Sequence, residues 1–477
     1  MKMWSGRFRQ PLDPEFERWQ RSFGFDRRLL RYELAASGAH ARALKSAGVL
    51  TADELISILQ GLEKINEKAA TTPSFLDDGE AEDVHHFVEK QLAALIGEVG
   101  YKLHSGRSRN EQIATDLRLY VRAAIDQLRQ EIADLCGAIV DRAEQAGEAA
   151  MPAYTHLQRA EPVLVGHWLL AYVEMFLRDA DRLADCSKRL NVCPLGSGAV
   201  AGATLPLDRA GMADSLGFDG PTANSIDATS DRDFALEFVQ ALSVLALHFS
   251  RWAEEMILFS SEEYGFIALP EAYSTGSSAM PQKQNPDSLE LIRGKSARLI
   301  GCQITLLTAM KGLPLAYNKD MQETQEPLLD TAWTSHQCLQ IANGFMRSVT
   351  LNYDRMQAAC ESGFMNALAA ATYLVKAGVP FREAHEIVAH AVQECLARGC
   401  ELQNLSLEEL HKFSHAFGPD IYQQLKLEAV LACHDVAGGT APEHVQQAMR
   451  EAREKLATLK EAHHASKGTP EEHALHA

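Results

Sequence analysis

Apolar residues recur along this chain at helical spacing, and the clearest stripe runs through residues 233–260. Its spacing of three and four residues is close to the heptad period and is sustained for nearly four repeats. A helix of that length is roughly 40 Å long. The pattern predicts one long helix whose apolar face consists of Phe234, Phe238, Leu242, Leu245, Phe249, Trp252, Met256 and Phe259.

Three further segments carry the same pattern: 116–145, 162–190 and 286–310. In the first of them the apolar face consists of Leu117, Val121, Ala124, Leu128, Ile132, Leu135 and Ile139. The signal for β-strands is thin. Helices this long bury their stripes only against other long helices, so the pattern predicts an all-α bundle with extensive association between subunits. A monomeric helical protein with the same stripes is the alternative.

Two breaks in the pattern predict three helical domains. A polar stretch at 97–108 precedes the second long helix, and beyond 346–363 the long helices give way to shorter ones. The stretch from about Lys455 is predicted to be a frayed tail. The predicted domains are an N-terminal helical domain (1–107), a central long-helix domain (108–358) and a small C-terminal helical domain (359–477).

The formal net charge of −18 argues against nucleic acid and anionic membranes as partners, because both need a basic surface. If the substrate is an anion, its site must therefore gather local positive charge. The stretch 192–207, which has no charged side chains, is too short to span a bilayer. No apolar run follows the basic residues at the N-terminus, so we expect a soluble, cytoplasmic protein.

The nine cysteines are scattered singly, without a CxxC pair. This spacing argues against a disulfide framework and against a thiolate zinc site. His85 and His86 are adjacent, but no third ligand accompanies them at a sensible spacing. We therefore expect no metal and no cofactor, with His85 lining a site or serving the fold.

The most informative polar stretch is 274–286, which combines a glycine, several hydroxyl side chains, Lys283 and Asn285 just before a long helix. Loop amides and a helix start favour anion binding, and Lys283 adds a full positive charge. The composition predicts a loop that binds an anionic ligand.

This stretch closely resembles GSSxMPxKxNP, the signature of the fumarase/aspartase superfamily. Other blocks resemble those of argininosuccinate lyases in particular, and they follow the family order almost to the end of the chain: Trp4-Ser5-Gly6-Arg7-Phe8, Ser108-Arg109-Asn110, Thr155-His156-Leu157-Gln158, Asp231-Arg232-Asp233 and Gly438-Gly439-Thr440. The resemblance implies a homotetramer with a central bundle of twenty helices. It also implies active sites that are each assembled from three chains.

The resemblance implies a β-elimination that releases fumarate from argininosuccinate. Ser277 would remove the Cβ proton, and a serine can do so only if its alkoxide is stabilised. Lys283 and Asn285 would hold the dianionic intermediate, where preorganised positive charge matters most. His156 would protonate the leaving group, with Glu290 orienting its ring, or would only position the substrate.

Further residues are implied in substrate binding: Ser22, Asn110, Thr155, Tyr317 and Gln322, with Arg109 and Arg232 as carboxylate forks. The chain departs from the family at Gln325, where a lysine is common. If that lysine contacts a substrate carboxylate, this chain has lost one cation.

Two alternatives remain open. One is another fumarate-releasing lyase of the superfamily, such as adenylosuccinate lyase or a fumarase. The other is a catalytically silent, crystallin-like structural protein on the same scaffold. The retention of Ser277, His156 and Lys283 speaks against the second alternative, and Gln325 is the one change in its favour.

Overall fold

The computed structural model describes residues 10–466, so the Trp4–Phe8 block lies outside the described part. Helices dominate that part, and the strands are few and short. The helices are α1 (Pro14–Trp19), α2 (Phe23–Asp26), α3 (Leu30–Ser46), α4 (Ala52–Thr71), α5 (Val84–Ile96), α6 (Val99–Lys102), α7 (Arg109–Ala146), α8 (Val165–Leu190), α9 (Arg209–Ser215), α10 (Ser225–Ser230), α11 (Asp233–Ser260), α12 (Asp287–Met310), α13 (Gln325–Ser348), α14 (Tyr353–Cys360), α15 (Ala367–Lys376), α16 (Phe381–Arg398), α17 (Leu407–His411), α18 (Ile421–Gln424), α19 (Leu427–Ala432) and α20 (Pro442–Ser466). This confirms the all-α prediction.

Five long helices, α7, α8, α11, α12 and α13, pack against one another at the centre of the chain. The predicted stripe of α11 is its buried face, and each of its eight residues is at most 3% exposed. The predicted stripe of α7 is likewise fully buried. The apolar period thus identified both the helices and the sides on which they pack.

Two predicted helix starts were wrong. α7 begins at Arg109 rather than near residue 116, because Ser108 caps it and Glu111 completes a capping box. α8 begins at Val165, because Pro162 belongs to a strand and pairs with Pro152. At both places a local hydrogen-bonding pattern, rather than the apolar stripe, sets the boundary.

α11 is also the one described helix that is long and apolar enough, by length and composition alone, to cross a membrane. In this chain 56% of its most apolar window is buried against other helices. A core helix meets the same criterion, so the observation is weak evidence for a membrane span.

The strands form three antiparallel pairs. They are β1 (Ala150–Thr155) with β2 (Gln158–Leu164), β3 (Ile267–Ala268) with β6 (Thr350–Leu351), and β4 (Thr275–Gly276) with β5 (Gln284–Asn285). The first and third pairs close loops that the sequence analysis singled out for chemistry.

The region after α14 has a separate apolar core, formed within residues 370–425. α20 lies outside that core and packs on α7 and α8, with Leu456 buried and Arg453 bound to Glu144. The prediction of a frayed tail from Lys455 was therefore wrong as far as Ser466, because α20 continues to that residue. The domain boundaries at 107/108 and 358/359 remain predictions.

Candidate active site

The turn between β1 and β2 presents Thr155 and His156 to solvent. Thr155 pairs with Gln158, so His156 and Leu157 alone make the turn, at φ of 56° and 57°. Two left-handed residues form the turn type that suits a tight hairpin, but side chains other than glycine adopt it at an energetic cost. The hairpin therefore holds an exposed histidine at its tip in a sterically costly backbone conformation.

The signature loop is closed at its base by the β4–β5 pair, with Thr275 opposite Asn285. Inside the loop, the Ser277 Oγ accepts hydrogen bonds from the backbone N–H groups of Ala279, at 3.2 Å, and Met280, at 3.1 Å. Two amides directed at one oxygen stabilise negative charge on it. This is the environment that a serine alkoxide needs.

The remaining signature residues surround that loop. Lys283 is exposed, and Asn285 is half-buried at the base of the loop. Glu290 lies in the first turn of α12 and is half-exposed, with its carboxylate 3.9 Å from Arg293. Among the described residues, no hydrogen bond or ion pair joins Glu290 to His156. The predicted orientation of the His156 ring by Glu290 therefore does not arise within one chain.

Arg109 and Asn110 form the first turn of α7. Arg109 lies 3.2 Å from a Glu82 oxygen and 3.4 Å from an Asp83 oxygen. Burial opposes its charge, but Asp83 and Glu82 outweigh burial and raise the pKa of Arg109. Asn110 donates to the Ala199 carbonyl at 3.4 Å. Arg109 is thus already paired with carboxylates of the protein.

A cavity of about 630 Å³ opens beside this helix start. One wall is the first turn of α7 and the other is a glycine-containing loop; the lining residues include His104, Arg107, Arg109, Asn110, Gly198, Val200 and Thr204. The sequence analysis did not single out residues 198–204, although their two glycines with positive φ mark a tight loop.

Arg232 and Tyr317 lie close enough for the charge of each to affect the pKa of the other, and the charge of Arg109 also affects that of Tyr317. Arg232 is 1% exposed, and its Nη1 donates to the Asp231 carbonyl at 2.7 Å. Its Nε and Nη2 have no acceptor among the described residues. Burial raises the pKa of Tyr317 in spite of the opposing charges of Arg232 and Arg109. A buried guanidinium with two free donor atoms fits an anionic partner.

Two glutamines lie near the start of α13. Gln322 donates through Nε2 to the Gln20 carbonyl at 3.1 Å, which joins it to the segment containing Ser22. Gln325 is 5% exposed and its Oε1 has no donor within the described part. The position where the family resemblance implies a lysine is therefore a buried one.

His85 belongs to a buried network that the sequence analysis missed. Its Nδ1 lies 2.9 Å from Glu33 Oε2 and 3.7 Å from Asp116 Oδ2. Burial opposes ionisation, but His85 and Arg107 lower the pKa of Glu33, whereas burial and then Glu33 raise that of Asp116. A charged carboxylate beside a protonated one accounts for this arrangement.

The three residues also correct our statement that His85 has no third ligand nearby. Ligand atoms of Glu33, His85 and Asp116 lie within 4.8 Å of one another. Glu33, however, already accepts from Ser37 and from Gln112, both of which occupy its Oε1. We therefore read the cluster as a hydrogen-bonded ion pair. Spacing along the sequence gave no sign of it, because Glu33 and His85 are 52 residues apart.

The predicted site residues thus fall into three groups. The first contains Ser22, Arg109, Asn110, Arg232, Tyr317, Gln322 and Gln325; the second contains Thr155 and His156; the third contains Ser277, Lys283, Asn285 and Glu290. No hydrogen bond or ion pair among residues 10–466 connects the second group to the third.

Comparison with known proteins identifies the family. A family model described as lyase matches residues 6–301, and one described as argininosuccinate lyase C-terminal matches residues 364–432. Argininosuccinate lyase of Koribacter versatilis is 59% identical over 466 residues, covering 98% of this chain and 100% of the relative. That of Acidobacterium capsulatum is 58% identical, covering 96% of each.

Solved structures share the fold. An EDDS lyase variant with bound fumarate has a TM-score of 0.82 at 27% identity, covering 96% of this chain and 93% of that one. The class II fumarase of Schistosoma mansoni, at 17% identity, has a TM-score of 0.73 with coverages of 84% and 90%, and supports the fold alone. On its sequence, this chain belongs to the argininosuccinate lyase family.

Proposed function

We propose that this chain is a carbon–nitrogen lyase that converts argininosuccinate to arginine and fumarate, and so completes a synthesis of arginine. The observation that carries the proposal is the Ser277 hydroxyl, which accepts two backbone amides in a loop that also contains Lys283. The full-length similarity to argininosuccinate lyases supports the same reaction. No metal or organic cofactor is part of the proposed chemistry.

Ser277 acts as the base. Its alkoxide removes a proton from the succinate carbon next to the carbon that is bonded to the leaving nitrogen. The electron pair of that C–H bond moves onto the carboxylate attached to the same carbon. That step creates a second negative charge, which Lys283 and Asn285 hold. The amides of Ala279 and Met280 lower the energy of the alkoxide before the step.

Collapse of this intermediate breaks the carbon–nitrogen bond and forms the double bond of fumarate. The leaving guanidino nitrogen then needs a proton, and His156 supplies it or positions the group that does. General acid catalysis of this kind contributes roughly 10²–10⁴-fold to the rate. In the assembled site, the Glu290 that orients the His156 ring belongs to a different chain from His156.

The arginine half of the substrate lies against Ser22, Asn110, Thr155, Tyr317 and Gln322. Arg232 is the carboxylate-binding cation, because two of its donor atoms have no acceptor in the described part of the chain. Arg109 contributes positive charge but is already paired with Glu82 and Asp83. Gln325 occupies the position where the family resemblance implies a lysine.

The active enzyme is a homotetramer with each site drawn from three chains. The α12 helix supports this, because several of its large apolar side chains are exposed: Leu291 at 62%, Ile304 at 56% and Leu307 at 49%. A long helix with an uncovered apolar face is stabilised by packing against further long helices. The lack, within residues 10–466, of a hydrogen bond or ion pair between the Thr155–His156 and Ser277 groups supports the same arrangement.

The protein acts in the cytoplasm. All nine cysteines are free, and five of them are fully buried. Free thiols in this number suit a reducing compartment.

Ultraviolet absorbance of released fumarate tests the function. The purified protein is mixed separately with argininosuccinate, adenylosuccinate and malate. We expect fumarate from argininosuccinate alone. Fumarate from another substrate would indicate a different superfamily lyase, and none from any substrate would indicate a silent structural protein.

A further inference from the structure

A buried carboxylate, Asp26, holds the hydroxyl of Ser22 in one orientation. Ser22 Oγ lies 2.6 Å from Asp26 Oδ2, and the other Asp26 oxygen accepts the backbone N–H of Val84 at 3.1 Å. Asp26 is 1% exposed and Ser22 5%.

The backbone of Ser22 is fixed as firmly as its side chain. Its N–H donates to the Glu82 carbonyl at 2.9 Å, and its carbonyl accepts from Phe25 and Asp26, each at 2.9 Å. The hydroxyl is therefore the only polar group of Ser22 that remains to meet a ligand. Which way its hydrogen points decides whether it donates or accepts.

The contact with Asp26 decides that direction. A carboxylate can only accept, so an ionised Asp26 takes the hydroxyl hydrogen of Ser22. The lone pairs of the Ser22 oxygen are then available, and the group that complements them carries an N–H. The arginine half of argininosuccinate offers such groups in its α-ammonium and its guanidinium, whereas the fumarate half offers only carboxylates.

We propose that Asp26 is a positioning residue for the reaction: its carboxylate takes the Ser22 hydrogen, so that Ser22 accepts from an N–H group of the substrate's arginine half. This inference rests on the proposed function. It assigns Ser22 to recognition of a donor group, and it distinguishes Ser22 from the cations that bind the carboxylates.

The substitution Asp26→Asn reverses the hydrogen bond with little change in shape. The Val84 N–H keeps the amide oxygen on its own side, so the amide NH₂ faces Ser22 and donates to it. The Ser22 hydrogen must then turn toward the ligand, where it meets another donor. We expect the inhibition constant of arginine and the KM of argininosuccinate to rise about tenfold.

Fumarate supplies the internal comparison, because it lacks an N–H group. Its inhibition constant should stay within about twofold of wild type in Asp26→Asn. Equal weakening of arginine and fumarate would mean that the site has deformed, and unchanged arginine inhibition would mean that Asp26 does not set the polarity of Ser22. Either result overturns the inference. Fumarate release by the wild-type protein tests the proposed function separately.

A double-mutant cycle tests whether Asp26 acts on arginine binding only through the Ser22 hydroxyl. Ser22→Ala removes the oriented oxygen but leaves Asp26 and Val84 in place, and it should weaken arginine by a similar factor. Adding Asp26→Asn to Ser22→Ala should weaken arginine no further; additive effects would overturn the inference. The matched control is Asp179→Asn, a buried carboxylate bound to His248, which should change neither inhibition constant.

The pH dependence of arginine binding is a readout that a merely structural role of Asp26 would not change. Burial, then the charge of Asp83, raises the pKa of Asp26 to about 7, against the opposing effects of Ser22 and His85. Below that pH a protonated Asp26 donates to Ser22 and turns its hydrogen outward. Arginine binding should therefore weaken as pH falls through 7 in wild type, relative to Asp26→Asn. Identical profiles would overturn the inference.

Discussion

Replacing Arg232 with methionine should stabilise the substrate-free protein while it weakens substrate binding. Arg232 precedes α11 and is fully buried. Among residues 10–466, the one hydrogen bond of its side chain runs from Nη1 to the neighbouring Asp231 carbonyl. The carboxylate of Asp231, which acts on the Arg232 charge, is already bound to Arg118 and to the Asp233 N–H. Burial accordingly lowers the pKa of Arg232.

The expected changes in stability and KM follow from the cost of burying the Arg232 charge in the substrate-free protein. A buried charge replaced by an apolar group of similar length is neutral to stabilising, by up to about 4 kcal/mol. In the complex, the same charge meets a substrate carboxylate, and losing one partner of such a pair costs about 2–5 kcal/mol. At about 3 kcal/mol, KM rises roughly 100-fold.

Thermal unfolding of the substrate-free protein and fumarate release measure the two effects. Arg232→Met should raise Tm by a few degrees and raise KM as stated. Arg118→Met is the matched control, because Arg118 is equally buried but is paired with Asp231 and the Leu190 carbonyl. Replacing Arg118 leaves the Asp231 carboxylate without its ion-pair partner and should lower Tm. A lower Tm in Arg232→Met, or an unchanged KM, would refute the reasoning.

Four further outcomes are expected. Ser277→Ala should lower kcat at least about 10³-fold with an intact helical circular-dichroism spectrum, and an active variant would remove the serine as base. Mixing inactive Ser277→Ala and His156→Asn subunits should restore partial activity, whereas confirmed mixed tetramers without activity would contradict shared sites. Ile304→Lys should dissociate the tetramer in sedimentation, since it places a charge on the exposed face of α12; an unchanged assembly would place the interface elsewhere. Gln325→Lys should lower KM severalfold if that position faces a carboxylate, and a higher KM would show that it does not.

The long helices were predictable because their core faces repeat over many turns. In α11 every third or fourth residue is apolar, and each such position is buried. α13 was missed because a run of polar residues, including Gln325 and His336, is buried on the same face as its leucines. Periodicity reports packing only where the packed residues are apolar.

Local geometry of the site was predictable only where it depends on neighbours in sequence. The loop of Ser277 is such a case, since its amides come from residues two and three positions later. The Asp26–Ser22 bond is similarly local, but its burial depends on Val84, 58 residues away. No spacing rule connects those segments, so the contact that sets the polarity of the hydroxyl emerges only from the fold.

Arg109 and Arg232 contribute unequally to the positive charge that the site needs, although the family resemblance gives both the same role. A protein with a net charge of −18 must concentrate cations to bind an anion. Arg109 adds little net charge to its surroundings, because Glu82 and Asp83 lie within 3.5 Å of its guanidinium. Within residues 10–466 no acidic side chain forms a hydrogen bond or ion pair with the Arg232 guanidinium, and its Nε and Nη2 have no acceptor there. Arg232, with its two unpartnered donor atoms, is therefore the cation that satisfies the condition. Arg109 instead joins the start of α7 to the start of α5 through Glu82 and Asp83.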